Sequence, residues 1–366
     1  MENRLKKIHE LGQSIWLDFI DRKIMDSGDM QKLITDDGVR GVTSNPAIFE
    51  KAFSSSSDYD ADIARLAKEG KSNDDIFYGV AVEDIKRAAD MFLQVYEDEV
   101  KGADGYVSLE VSPRLANDTE GTTKQALELW KAVHKDNVMI KIPGTKEGLP
   151  AIQKSIAGGL NINVTLLFGL ERYEAVTEAY IKGLEERVAA GKPIEYVSSV
   201  ASFFLSRIDV LVDPMLKEKG LDHLKGEVAI ASAKKAYEIY KRVFSGERWQ
   251  KLADKGAKPQ RLLWASTGSK DPSFSDVKYV EALIGPDTVD TIPMETLVAF
   301  RDHGNAANTL DQGLDEATKT LEQIKAAGID LAKITQQLEE EGIEKFNQPY
   351  DKLLAAIEKQ KQKAVA

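Results

Sequence analysis

The sequence predicts a (β/α)8 barrel, and three observations support this fold. Eight short apolar runs of strand length occur along the chain, and segments with helical periodicity separate most of them. The length of 366 residues is enough for one large α/β barrel. An open, doubly wound sheet is the main alternative, but no G-x-G-x-x-G follows the first predicted strand.

The predicted strands differ in length, and each has an apolar face. The fourth run, Val138 to Pro143, is the clearest, because Pro143-Gly144 ends it in a turn. The eight predicted strands are residues 14–20, 41–45, 105–112, 138–143, 161–168, 194–204, 261–268 and 288–293.

Three helices between these strands are predicted from apolar residues at helical spacing. They run from Gly121 to Lys135, from Leu170 to Ala190 and from Leu224 to Phe244. Thr119-Glu120 supplies the start signals of the first helix.

Two regions exceed a minimal barrel, although no linker divides the chain, and we therefore expect a single domain over residues 1–366. Residues 46–104, between the second and third strands, carry a serine run, Ser54 to Ser57, and then two helical patterns. The serine run is interpreted as a plain loop. The tail from about residue 300 is rich in Glu, Lys, Gln and Ala and predicts two or three surface helices.

Composition narrows the possible functions. There is no cysteine, and the four histidines are scattered without metal-ligand spacing, so we expect neither a metal nor a cofactor. The net charge of −11 disfavours nucleic acid as a partner. No apolar run approaches the ~18 residues of a membrane span, and residues 1–7 do not begin a signal peptide, so the expected location is cytoplasmic.

Lys141 stands in the middle of the apolar fourth strand. Because side chains alternate along a strand, Lys141 and Met139 share the face opposite Val138, Ile140 and Ile142. The same alternation on the other strands gives each an aliphatic face for the helix layer and a polar face for the barrel interior. The polar residues expected to converge at the barrel mouth are Asp18, Asn45, Glu110, Lys141, Asn163, Thr165 and Ser202.

This set of groups favours chemistry on a carbonyl compound. Desolvation increases the neutral fraction of a lysine and makes it a nucleophile that forms a Schiff base with a ketone. Glu110, one strand away, can exchange protons during imine formation, and Asp18 can take a proton from a substrate hydroxyl as a C–C bond breaks. The alternative for Lys141 is a structural salt bridge with Glu110.

The remaining candidates suit substrate binding. Asn45 and Asn163 can hold hydroxyl groups by hydrogen bonds. Arg207, together with Ser266 and Lys270 after the seventh strand, suits a phosphate at the barrel rim.

Five segments resemble the transaldolase family, and specifically its longer bacterial and plant-type branch. They are GVTSNP at 41–46, SLEVSPRL at 108–115, IKIP at 140–143, NINVTLLF at 161–168 and SFFLSR at 202–207. The resemblance implies a metal-free transferase of the pentose phosphate pathway. Such an enzyme moves a dihydroxyacetone unit from sedoheptulose 7-phosphate to glyceraldehyde 3-phosphate, giving erythrose 4-phosphate and fructose 6-phosphate.

The resemblance also implies roles for individual residues. The Schiff-base lysine falls on Lys141, the acid/base glutamate on Glu110 and the C–C-cleaving aspartate on Asp18. Thr165 falls on the residue that positions a catalytic water. The substrate-binding positions fall on Asn45, Asn163, Ser202 and Arg207.

Two positions bear on specificity. The better-known branch has Ser-x-Arg after the seventh strand, whereas this chain continues Ser266-Thr-Gly-Ser-Lys270, so Lys270 is our candidate for the missing arginine. Relatives that mainly cleave fructose 6-phosphate and release dihydroxyacetone carry Tyr where this chain has Phe204, so Phe204 favours transfer. Such aldolase activity is one alternative, and a barrel that binds sugar phosphates without catalysis is another. Either a monomer or a homodimer is compatible with the sequence.

Overall fold

A computed structural model of the chain describes residues 3–98 and 101–365. Within them, eight parallel strands pair in chain order, and the last pairs with the first to close a barrel. This confirms the predicted (β/α)8 fold. The strands are β1 (Gln13–Leu17), β2 (Gly41–Val42), β3 (Tyr106–Glu110), β4 (Val138–Pro143), β5 (Ile162–Leu167), β6 (Ser199–Phe204), β7 (Arg261–Ala265) and β8 (Thr288–Ile292).

Seventeen α-helices surround these strands within the described residues. They are α1 (Arg4–Glu10), α2 (Arg22–Asp26), α3 (Asp29–Asp36), α4 (Pro46–Ser55), α5 (Asp60–Lys68), α6 (Asn73–Met91), α7 (Leu93–Glu97), α8 (Thr119–Val133), α9 (Gly148–Gly158), α10 (Leu170–Ala189), α11 (Ser206–Glu218), α12 (Val228–Val243), α13 (Glu247–Ala253), α14 (Lys278–Ala282), α15 (Met294–His303), α16 (Leu314–Ala326) and α17 (Leu331–Val365). Among the residues that the structure describes, no helix combines the length and apolarity needed to cross a membrane.

The predicted strand boundaries need correction at every strand except β4. β1 ends at Leu17 rather than at 20, and β7 ends at Ala265 rather than at 268. β4 has the predicted bounds, but β6 begins at Ser199 rather than at 194, because the amide of Val197 bonds back to the carbonyl of Ile194 in a turn. β2 is also shorter than the predicted 41–45. The amide of Thr43 still bonds to Leu17, but Asn45 already caps α4, where its side chain accepts a hydrogen bond from the amide of Ile48.

The predicted helices also shift slightly. α8 begins at Thr119, and its cap is Asp118, whose carboxylate accepts hydrogen bonds from the amides of Glu120 and Gly121. The helix predicted from Leu224 begins later, at Val228, because Asp222–Leu224 forms a separate 3-10 turn.

The 46–104 region contains four helices, α4 to α7, rather than the two predicted. The longest, α6, starts at a capping box in which Ser72 and Asp75 exchange hydrogen bonds with each other's backbone. Two members of the serine run, Ser54 and Ser55, end α4 instead of lying in a loop.

The expectation that the tail forms only surface helices is wrong for α17. This helix packs against α4, α5 and α6, and its Phe346 is 95% buried at the barrel mouth. The tail's content of Glu, Lys, Gln and Ala is typical of a helix, but distant parts of the chain form the surface that α17 covers.

A buried polar cluster closes the opposite end of the barrel. Trp16 Nε1 donates to Asp104 Oδ1 at 2.7 Å, and Arg40 and Arg261 lie 3.3 Å from the same carboxylate. A Cβ at Gly41 would lie only 2.7 Å from the Trp16 ring, so the strand can pass the indole only with glycine there. The polar groups at the mouth are therefore accessible only from the carboxyl-terminal side of the barrel.

Candidate active site

Lys141 lies in the centre of the barrel mouth. It is 5% exposed, and its Nζ donates a hydrogen bond to the carbonyl of Ser44 at 3.0 Å. Nζ is also 3.6 Å from Glu110 Oε2, since β3 and β4 pair Glu110 directly with Lys141. The salt bridge considered as the alternative for Lys141 is therefore present, but it does not cover the lysine, which also lines an open cavity.

Glu110 lies behind Lys141 and away from that cavity. Burial raises the pKa of Glu110 to about 7, although the neighbouring Lys141 opposes the shift. Within the described residues, neither carboxylate oxygen accepts a hydrogen bond of normal geometry. A buried carboxyl group with such a pKa can both give and take a proton near neutral pH.

Asp18 follows the last residue of β1 and lines the cavity. Burial raises the pKa of its carboxyl group, while Lys141 and a hydrogen bond from Thr43 oppose the shift. Thr43 Oγ1 donates to Asp18 Oδ1 at 2.7 Å and lies 2.6 Å from the Thr291 hydroxyl. Two hydroxyl groups thus fix the orientation of the carboxylate.

Asn163 supports the site from the neighbouring strand. It pairs in register with Lys141, is fully buried, and accepts a 2.7 Å hydrogen bond from Ser202 Oγ. Its Nδ2 donates to Ser108 Oγ at 3.1 Å. Ser202 reaches the cavity, whereas Asn163 lies one layer beneath it.

Thr165 lines the cavity with an unsatisfied hydroxyl. Its Oγ1 is buried and has no hydrogen-bond partner among the described residues. The pairing of β5 with β6 shifts register between Val164 and Leu167, and Leu166 adopts a φ of 59°. Such an irregularity changes the direction of neighbouring side chains. Because buried hydroxyl groups normally have hydrogen-bond partners, the Thr165 hydroxyl is suited to bind a water or a substrate group.

Cationic groups occupy the other end of the cavity. Arg207, in the first turn of α11, leaves Nη1 buried and unpaired within the described part of the chain. Burial also lowers the pKa of its guanidinium. Its Cζ lies 5.5 Å from the Phe204 ring centre, and Lys270 borders the same space. An amino-terminal helix turn with cationic side chains suits an anion.

Ser266 lies beside this end of the cavity. Its hydroxyl is 2.8 Å from that of Ser206, and its φ of 56° is in the left-handed region. Ser266 lines the cavity together with Lys270.

The cavity has a volume of about 210 Å³. It brings together most of the predicted site residues, namely Asp18, Asn45, Lys141, Thr165, Ser202, Phe204, Arg207, Ser266 and Lys270, while Glu110 and Asn163 lie behind its wall. Seven lining residues were not among the predicted site residues: Thr43, Ala265, Gly268, Thr291, Pro293, Glu295 and Phe346. Strand alternation applied to β2 and β8 could have identified the two threonines, whereas Glu295 and Phe346 lie on helices and have no such signal.

The fold and the cavity define a (β/α)8-barrel enzyme whose polar mouth is built around a buried lysine. A model of the transaldolase/fructose-6-phosphate aldolase family matches residues 15–357. The chain belongs to this family, as its motifs suggested.

Relatives named transaldolase are similar to the chain over nearly its whole length. The "Transaldolase" of Trichodesmium erythraeum is 46% identical, covering 99% of this chain and 98% of that protein. The "Transaldolase 2" of a Nostoc species is 47% identical, with 97% of both chains covered. The "Transaldolase" of Saccharopolyspora erythraea is 47% identical, with 98% of both covered. The chain is therefore an enzyme of the transferase class, and these similarities support transaldolase function.

Proposed function

We propose that the chain transfers a dihydroxyacetone unit from sedoheptulose 7-phosphate to glyceraldehyde 3-phosphate through an imine on Lys141. The products are erythrose 4-phosphate and fructose 6-phosphate, as in the pentose phosphate pathway. The observation that carries this proposal is the position of Lys141, which shares one cavity with Asp18 and lies 3.6 Å from Glu110.

In the first step, the neutral amine of Lys141 attacks the ketone carbon of the donor. The carbonyl oxygen must then leave as water, which requires a proton donor. Glu110, with a pKa of about 7, can supply that proton, and the unpaired Thr165 hydroxyl can position a water that carries it.

In the second step, Asp18 takes the proton from the hydroxyl next to the bond that breaks. The aldehyde fragment leaves, and the electron pair of the C–C bond moves into the imine to give an enamine on Lys141. The enamine carbon then attacks the acceptor aldehyde, and Asp18 returns the proton to the new hydroxyl group. Water finally adds to the product imine, the C–N bond breaks, and fructose 6-phosphate and free Lys141 result. The hydrogen bond from Thr43 keeps the Asp18 carboxylate oriented through both transfers.

Binding of the substrate is assigned to the two ends of the cavity. Asn45, Ser202 and, through Ser202, Asn163 hold the dihydroxyacetone portion. Arg207, Ser266 and Lys270 bind the phosphate, and the buried, unpaired Nη1 of Arg207 supports this assignment.

We also propose that residues 1–366 act as one domain that works in the cytoplasm as a monomer or a homodimer. The 46–104 insertion and the C-terminal helices belong to this domain, because α17 packs on α4, α5 and α6. Release of dihydroxyacetone by simple aldol cleavage is the alternative activity, and the relatives named transaldolase do not favour it.

Borohydride reduction in the presence of fructose 6-phosphate tests the mechanism. Reduction converts an imine into a stable secondary amine, so peptide mass mapping should find the adduct on Lys141. A matched control is the exposed Lys146 on the following turn, and its replacement by Ala should leave labelling intact. Absence of an adduct on Lys141, or labelling that persists in Lys141→Ala, would overturn the proposal.

A further inference from the structure

The helix α17 covers the barrel mouth with one buried stripe. Its buried residues recur at spacings of three and four, as on one face of a helix. They include Ile334, Leu338, Phe346, Tyr350, Leu353 and Ile357. Phe346 is the member of this stripe that lines the active-site cavity.

Polar contacts hold α17 on both sides of Phe346. On the amino-terminal side, Arg172 Nε lies 3.1 Å from Glu339 Oε2. On the carboxyl-terminal side, Tyr350 donates to Asp74 Oδ1 at 2.6 Å, and Arg114 lies 2.6 Å from Asp351. The ring of Phe346 is thus fixed between two attachment points.

Close packing holds the intervening turn as well. A Cβ at Gly342 would lie 3.0 Å from Leu166 Cδ2, so glycine allows α17 to rest on the irregular end of β5. This contact lies one helical turn before Phe346 and next to Thr165. The height of the Phe346 ring above the cavity is therefore set by the packing of the barrel itself.

The cavity under this ring is small. Its volume of about 210 Å³ corresponds to roughly seven water molecules at ~30 Å³ each. Most ligand pockets hold ~300–1,000 Å³. Since the other wall residues are mostly polar, an apolar ring at the mouth limits how many waters share the space with a covalent intermediate.

We infer that Phe346 is a specificity-determining residue that favours transfer of the covalent intermediate over its hydrolysis. The inference rests on the proposed imine at Lys141. After the first aldehyde leaves, the enamine on Lys141 has two fates. In transfer, its carbon forms a C–C bond with an acceptor aldehyde.

In hydrolysis, the same carbon takes a proton instead, and water then adds to the imine carbon. The oxygen of this water becomes the ketone oxygen as the C–N bond breaks; one of its protons passes to the Lys141 nitrogen, and the other replaces the proton that the carbon took. Free Lys141 and dihydroxyacetone result. Transfer also ends with water adding to the product imine, so the two fates differ only at the enamine carbon, which takes a proton in hydrolysis and bonds to the acceptor aldehyde in transfer. The ring of Phe346, which lines the cavity, restricts the water that could bring a proton to this carbon, and exclusion of water is a recognised way to suppress side reactions of intermediates.

The test compares two rates in one enzyme. Release of dihydroxyacetone from fructose 6-phosphate alone measures hydrolysis, and formation of sedoheptulose 7-phosphate with erythrose 4-phosphate as acceptor measures dihydroxyacetone transfer to an aldose. In Phe346→Ala we expect the release-to-transfer ratio to rise about tenfold, which corresponds to 1.36 kcal/mol in relative barrier height. Phe346→Leu, which keeps part of the apolar volume, should give a smaller rise in the same direction.

Leu354→Ala is the matched control, because Leu354 is a buried residue of α17 that does not line the cavity. It should leave the ratio unchanged even if it lowers thermal stability. If Phe346→Ala fails to fold, the release-to-transfer ratio of Phe346→Leu is compared with that of the wild type, and this comparison tests the inference. An unchanged ratio in the folded Phe346 variants, or an equal rise in Leu354→Ala, overturns the inference. Failure of the wild type to transfer or to form the Lys141 adduct instead overturns the proposed function.

Discussion

Asp290 provides a quantitative prediction because it is a fully buried carboxyl group with no ionic partner in the described structure. It lies on β8 next to Thr291, on the face that packs toward the helices, and in register with Trp264. Neither of its oxygens accepts a hydrogen bond of normal geometry from the described residues. Burial raises its pKa to about 8, and the nearby Thr267 opposes the shift.

The sign of the effect follows from proton linkage. Between pH 3.8, the ordinary pKa of an aspartate, and about 8, the folded protein keeps a proton on Asp290 that the unfolded chain has lost. The free energy of unfolding therefore falls as the pH rises through this window. At 1.36 kcal/mol per pH unit, the loss from this group over the whole window has an upper bound of about 6 kcal/mol.

The perturbation is Asp290→Asn, which keeps the shape of the side chain and removes its charge. Relative to wild type, the variant should gain stability between pH 5 and pH 9. From pH 5 to about pH 8 the upper bound of this gain is about 4 kcal/mol. For 366 residues at ~2.1 cal/mol/K each, that corresponds to a Tm difference of about 5 °C. Differential scanning calorimetry of both proteins at the two pH values, at one scan rate, measures this change.

A matched control is Glu128→Gln on the exposed face of α8, which should not alter the pH dependence of Tm. If Asp290→Asn shows the same Tm difference from wild type at pH 5 and pH 9, Asp290 is not held protonated, and the reasoning from its burial is wrong.

Three further predictions concern the active site. Glu110→Gln should lower kcat by ~10²–10⁴-fold and should remove the ionisation near pH 7 from the pH–rate profile. If that ionisation is retained, it belongs to a group other than Glu110. Arg207→Ala should raise KM for phosphorylated donors by about tenfold or more, as expected for a lost charged hydrogen bond of ~1.5–3 kcal/mol, while borohydride trapping of unphosphorylated dihydroxyacetone stays unchanged. An unaltered KM would remove Arg207 from the phosphate site. Thr43→Val should lower kcat by about tenfold, because Asp18 loses the hydrogen bond that orients its carboxylate. A tenfold loss corresponds to ~1.4 kcal/mol of transition-state stabilisation. Thr43→Ser, which keeps the hydroxyl group, should restore kcat.

Strand alternation explains why much of the candidate site could be anticipated. Each inward residue is specified by a two-residue period within its own strand, which is a local property. Once the barrel closes, the register places Glu110, Lys141 and Asn163 side by side on consecutive strands. The relative depth of these residues was not predictable, since it depends on the stagger between strands.

The eight strands, their alternation with helices and the polar face of most strands follow from the sequence alone. These features are local: they depend on short-range periodicity and, at β4, on the turn at Pro143-Gly144. The position of α17 across the mouth, with Phe346 and Asp18 facing one cavity, is visible only in the folded structure. More than 300 residues separate those two positions, and no local pattern encodes a contact over that distance. Such contacts arise from tertiary packing, because α17 contacts a surface that the barrel and the helices α4 to α6 form together.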